Sequence, residues 1–217
     1  MSEKLMTLSV DTAAGITVEH LYYHHERAPA EKLLVVLPGQ GYLPSHPVLH
    51  YLQKMARSLG YDVLSIQYSF QAAPQASGGK APGWDELTDE ANHAMRVLPR
   101  QDYVGRSPRC ICFAGKSLGT PLAVTLAQSS LAEDTRLLLL TPIANAVESA
   151  GEIPTLAVIG TADTAYNAAA VAADADRANI TWRVFEGLNH GLEADDWRES
   201  VNALVEIIAA CEDFLRA

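Results

Sequence analysis

Ser117 stands between two glycines in Gly115-Lys116-Ser117-Leu118-Gly119, after the apolar run RCICFAG and before the Ala- and Leu-rich stretch TPLAVTLAQ. The spacing is G-x-S-x-G, with a strand pattern before it and a helix pattern after it. A strand that turns at once into a helix crowds the residue at the turn, and small residues two before and two after relieve that crowding. The hydroxyl then projects above the sheet, next to a helix N-terminus that favours developing negative charge. This is an arrangement for nucleophilic attack. Its plainer alternative is a tight turn with a polar residue at its tip.

A serine hydroxyl attacks at neutral pH only when a base takes its proton, so the chain must also supply a histidine and an acid that orients it. The histidines are His20, His24, His25, His46, His50, His93 and His190. His190 lies in EGLNHGLEADDW, after the last apolar run and before the final helical pattern, with Gly187 and Gly191 on either side. The other six fall on edge-strand, helix or loop positions and read as solvated polar residues. The acid candidate is Asp163 in AVIGTADTAY, which follows an apolar run through a Gly-Thr-Ala turn. An aspartate there can equally be a turn residue or a helix cap. Asp174 and Asp176, on the following helical stretch, are further candidates.

These residues need a scaffold that brings them together. Residues 5–10 and 16–24 alternate apolar and polar on either side of Gly15, which predicts an antiparallel hairpin at a sheet edge. The runs at 32–38, 61–68, 109–115, 136–142 and 154–160 are continuously apolar, as strands of a parallel sheet buried on both faces must be. Residues 181–187 form a more amphipathic strand nearer an edge. Helical patterns lie at 46–60, 84–99, 117–131, 164–178 and 194–215. Strands and helices alternating after an antiparallel start predict a mixed, mostly parallel sheet with helices on both faces. The stretch QAAPQASGGKAPG, 71–83, is a loop following the C-terminal end of a strand, the edge at which open α/β sheets bind ligands.

Composition bounds the rest. The 217 residues suit one α/β domain, and 48% hydrophobic with 19% charged residues is globular. A net charge of −10, with no basic run, argues against nucleic acid or an anionic membrane as partner. Cys110, Cys112 and Cys211 are odd in number and lack metal-site spacing, so they read as buried free thiols. No signal sequence and no run of 18 apolar residues is visible, so the expected location is the cytoplasm.

Ser117, Asp163 and His190 follow separate strands, in that chain order. With the elbow, the Gly-Thr-Ala-Asp turn and the Asn-His-Gly loop, the sequence resembles the α/β-hydrolase superfamily over nearly its whole length, as a small cap-less serine hydrolase of esterase or thioesterase type. The resemblance implies an α/β-hydrolase fold in a single domain, 1–217, with a mostly parallel central sheet of about eight strands. Only about ten residues separate the fourth and fifth continuously apolar runs, too few for a cap domain. The resemblance implies a triad of Ser117, Asp163 and His190. It also implies an oxyanion hole made by the N–H of Leu118 and an N–H from the loop Leu37-Pro38-Gly39-Gln40-Gly41-Tyr42. By position that second donor is Gln40, with Gly41 the alternative; members often carry His-Gly where Pro38-Gly39 stands here. Gly39, Gly41 and Tyr42 are candidate substrate-binding residues, and Tyr68 and Trp84 candidate lining residues. No metal or cofactor is implied, and the expected partner is a small-molecule or acyl-carrier substrate. The competing reading is a small-ligand-binding protein on the same fold with little or no turnover.

Overall fold

Eight strands form one sheet in the computed structural model, which describes residues 3–12, 15–25, 31–74, 83–101, 108–143 and 145–217. They are β1 Glu3–Asp11, β2 Thr17–His25, β3 Lys32–Leu37, β4 Asp62–Ser65, β5 Cys110–Lys116, β6 Asp134–Leu140, β7 Thr155–Gly160 and β8 Ile180–Phe185. The order across the sheet is β1-β2-β4-β3-β5-β6-β7-β8. β2 pairs antiparallel with β1 and β4, and every other pairing is parallel. β5 is therefore central, and the C-terminal ends of β3, β5, β6, β7 and β8 share one edge.

The helices are α1 Pro47–Ser58, α2 Ser69–Ala72, α3 Trp84–Gln101, α4 Gly119–Gln128, α5 Ala146–Ser149, α6 Ala168–Ala173 and α7 Trp197–Arg216. They cover both faces, which explains the continuously apolar strands. On β3, Leu33, Val35 and Leu37 enter one core with Leu87 of α3 and Leu122 and Leu126 of α4. Leu34 and Val36 enter the other, with Leu49 and Leu52 of α1 and Ile207 and Leu215 of α7. Successive strand residues point to opposite faces, so a strand covered twice has no polar positions to spare.

Three elements differ from the sequence expectation. The strand expected over 61–68 is limited to β4, because the chain turns into α2; Glu90 of α3 accepts from Ser69 N at 2.9 Å and from the Ser69 hydroxyl. The helix expected over 164–178 is only α6. Residues 163–166 form a turn, with Ala165 N donating to Asp163 Oδ1, and the Asn167 side chain then caps the helix. Short α5 fills the connection after β6, where the sequence left too few residues for a cap domain.

His20 is not solvated. It points inward from β2, 1% exposed, and its Nδ1 accepts from Gln67 N at 3.1 Å. Burial, and then the neighbouring His93, lowers its pKa to about 4. Protonating Nδ1 would also end its role as acceptor. Between pH 6.5 and 4 the unfolded chain therefore binds a proton that the folded chain refuses, and stability falls as pH falls through that window. Urea unfolding at pH 7 and pH 4.5 is expected to show a loss of stability in the wild type that is smaller, by about 2 kcal/mol, in His20→Gln. An equal loss in both proteins would contradict this.

Candidate active site

β5 ends at Lys116, and Ser117 makes the turn into α4 with φ of 50°. Its N–H donates to Leu140 O at 3.0 Å, and its carbonyl accepts from Thr120 N at 2.8 Å. The flanking glycines have a steric cause. A Cβ on Gly115 would lie 2.3 Å from Gly119 O, and one on Gly119 would lie 2.1 Å from Leu37 O. Strand, turn and helix are in backbone contact there, and no side chain fits. Ser117 itself carries the left-handed conformation, which costs a non-glycine residue about 1–3 kcal/mol.

Asp163 follows β7, and its side chain is fully buried. Its Oδ1 accepts from Ala165 N at 2.9 Å, and its Oδ2 lies 2.8 Å from His190 Nδ1. It is thus a turn residue and a histidine partner at once. His190 lies in the loop between β8 and α7, with its side chain 45% exposed. Leu188 and Leu192, both buried, anchor that loop on either side, and Asn189 Oδ1 accepts from Gly191 N at 2.7 Å. His190 Nε2 lies 2.8 Å from Ser117 Oγ. An ionised carboxylate only accepts, so Nδ1 carries the proton that faces Asp163, and Nε2 accepts from the serine hydroxyl. Asp174 is engaged elsewhere, accepting from Arg177 and from Trp182 Nε1 at 3.0 Å. Asp176 is exposed and has no part in this chain of bonds.

The loop after β3 runs beside the elbow. A Cβ on Gly39 would be 3.3 Å from Ser117 Cβ. Gln71 Nε2 donates to Gly39 O at 2.7 Å and to Gln40 O at 3.1 Å. In a planar trans peptide the N–H points away from the carbonyl, so fixing these two carbonyls also fixes the N–H directions of Gln40 and Gly41. Among the described residues, neither the N–H of Gln40 nor that of Leu118 has an acceptor. Tyr42 is half-buried, and its hydroxyl accepts from Val48 N at 3.1 Å. Tyr68 does not line an open site: it is fully buried and donates to Pro38 O at 3.2 Å, beneath the loop. Trp84 is 42% exposed at the start of α3. Of the expected loop 71–83, residues 75–82 lie outside the described residues, and with them the question of a covered cleft.

Two residues at the site escape the sequence reading. Gln71 looks like the first residue of a loop, and nothing local marks it as a brace. Lys116 is the variable residue of the elbow motif, yet it is fully buried, and its Nζ donates to Thr141 Oγ1 at 2.6 Å and to His190 O at 2.7 Å. Its signal was a lysine closing an otherwise apolar strand. No cluster of three or more potential metal ligands occurs among the described residues, and no described helix is long and apolar enough to cross a membrane.

No family model matches the sequence, and no curated protein matches it. Solved structures do. A lidless α/β serine hydrolase from Xanthomonas campestris is 16% identical with a TM-score of 0.70, covering 98% of this chain and 94% of its own. Dienelactone hydrolase from Anabaena variabilis is 13% identical with a TM-score of 0.71, covering 99% and 97%. An esterase from Pyrococcus furiosus is 13% identical with a TM-score of 0.69, covering 98% and 90%. The shared feature is the fold.

Gly160, at the end of β7, allows the loops of Asp163 and His190 to meet. A Cβ there would lie 2.0 Å from Leu188 O, and Ala162 N donates to that same carbonyl at 3.0 Å. Because the obstacle is backbone, no rotamer change relieves it. Gly160→Ala is expected to lose about 3 kcal/mol in urea unfolding. Gly83→Ala, with nothing within 4 Å, is expected to lose no more than about 1 kcal/mol, the cost of alanine at the helix N-cap. Equal stability of the two variants would contradict the packing argument.

Proposed function

We propose that this chain, which has the cap-less α/β-hydrolase fold, is a serine hydrolase that cleaves a carboxylic ester or thioester through an acyl-enzyme. The observation that carries the reading is the unbroken relay from Ser117 Oγ to His190 Nε2 and from His190 Nδ1 to Asp163 Oδ2, each step 2.8 Å. The distances suit proton transfer, and the order of groups is that of a nucleophile, its base and the base's orienter.

In the proposed cycle, His190 Nε2 takes the hydroxyl proton as Ser117 Oγ bonds to the carbonyl carbon of the substrate. The carbonyl electrons move to oxygen, and the N–H groups of Leu118 and Gln40 receive that oxyanion. Each such donor is worth about 2.7–4 kcal/mol in the transition state. The tetrahedral species collapses, the bond to the alcohol or thiol breaks, and His190 returns the proton to the leaving group. Water repeats the sequence on the acyl-serine, which restores the enzyme. Asp163 holds the imidazole in the required tautomer and stabilises its cation. The cycle draws on no cofactor.

Gly39, Gly41 and Tyr42 would line the acyl-binding side, where the loop backbone approaches the serine. The short connection between β6 and β7 leaves no cap over this edge, which suits a small ester or an acyl group on a larger carrier. The free thiols Cys110, Cys112 and Cys211 suit a cytoplasmic enzyme.

The test is hydrolysis of p-nitrophenyl esters and coenzyme A thioesters of graded chain length. Ser117→Ala and His190→Ala are each expected to lose about 10⁴-fold or more in kcat, the double variant little more than either, and Asp163→Asn less. Near-full activity in either alanine variant would contradict the reading. A wild type that binds these esters without turnover would favour a binding protein.

A further inference from the structure

Lys116 is a fully buried cation that the proposed cycle does not use. Its ammonium sits where three loops of the site meet. Nζ donates to Thr141 Oγ1, at the end of β6, and to the backbone oxygen of His190. It also lies 4.8 Å above the ring of Tyr42, in the loop after β3. Lys116 itself is the residue before the serine. One group therefore touches the base's loop, the oxyanion loop and the elbow together.

The surroundings bear the marks of a constraint. Thr141 has φ of 47°, an outlier for a β-branched residue. Among the described residues, the other non-glycine positions with positive φ are Ser117 and Leu192. All three lie at this sheet edge: one follows Lys116 in the chain, one holds its ammonium, and one is two residues from the carbonyl it binds. His190 is half-exposed, so packing around its ring does not fix it, whereas its backbone oxygen is held directly.

Resting on the hydrolase reading, we propose that Lys116 is a positioning residue whose ammonium ties the His190 loop to Thr141 and Tyr42 and so keeps the imidazole within reach of Ser117. It forms no bond to substrate. Neutral amine has fewer N–H donors and no attraction for the Tyr42 ring, so loss of the proton loosens the tie.

Burial lowers the Lys116 pKa to about 8, and the charge of Asp163 opposes that shift. The titratable groups around it are Asp163 on the loop after β7, His190 on the loop after β8, and Tyr42 after β3. Tyr42 is raised above its ordinary value, by burial first, with a smaller push from Glu193, so it stays neutral in this range. The tie is strongest well below pH 8 and weakens as pH rises through that value.

The experiment has two readouts on the full chain. The first is the rate of phosphonylation by a fluorophosphonate from pH 6 to 10. The wild type is expected to slow above pH about 8; Lys116→Met is expected to be at least 10-fold slower at pH 7 with no further fall near pH 8; Lys116→Arg is expected to recover part of the rate, also without that fall. Thr141→Val, which removes one acceptor and leaves the lysine in place, is expected to move the fall to lower pH and serves if Lys116→Met does not fold. The second is hydrogen exchange of the loop 188–193, expected to speed up at least 10-fold in Lys116→Met or Thr141→Val while the strands stay protected. Wild-type exchange in 188–193, together with a wild-type pH profile, would overturn the proposal. Faster exchange in a chain whose wild type is never phosphonylated would uphold the tie and overturn the hydrolase reading instead.

Discussion

The imidazole of His190 is held between two oxygens, one on the residue after β5 and one on the loop after β7, and the placement of that ring is the constraint on which the sheet edge turns. The two bonds are 2.8 Å each, yet the ring is nearly half-exposed. A side chain in that position has little packing to hold it. Its geometry must come from the loop that carries it, and that loop is fixed from several sides. Leu188 and Leu192 enter the core, Asn189 braces the turn, Gly160 lets the β7 edge approach, and Lys116 grips the backbone oxygen.

This placement works against stability. Ser117, Thr141 and Leu192 occupy the left-handed region without being glycine, and Lys116 is a cation out of water. Each is unfavourable by amounts of the order of kcal/mol. The rest of the molecule offsets them with two apolar layers packed on a doubly covered sheet. Among the described residues, the non-glycine positions in the left-handed region gather at the edge that carries Ser117 and His190, whereas buried Asp62, at the N-terminal end of β4, is met by Tyr22 and His25.

Much of this was legible in the sequence because the signals are local. A strand buried on both faces leaves an unbroken apolar run, and the alternation of runs and helices after an antiparallel start points to a mixed, mostly parallel sheet. The elbow motif is local too, since its glycines answer to a contact within five residues and to the strand beside it. What was not legible depends on partners far along the chain. His20 reads as a solvated polar residue by its type, but it shares the inward face of β2 with Val18 and Tyr22, and α3 covers that face. Lys116 reads as a variable position, because its acceptors lie 25 and 74 residues away. Gln71 gains its role from carbonyls about thirty residues earlier. The long helix expected after Asp163 loses its first turn to the bend that carries the carboxylate, and it ends at Ala173, where Asp174 turns to Arg177 and Trp182.

The central claim is that the hydroxyl of Ser117 is activated by the imidazole of His190. The most direct measurement is mass spectrometric mapping of a fluorophosphonate adduct after brief exposure at pH 7.5. A single phosphonyl group on Ser117, formed with loss of fluoride in the wild type and absent in His190→Ala, is the predicted result. An unmodified Ser117, or equal modification in both proteins, would contradict it.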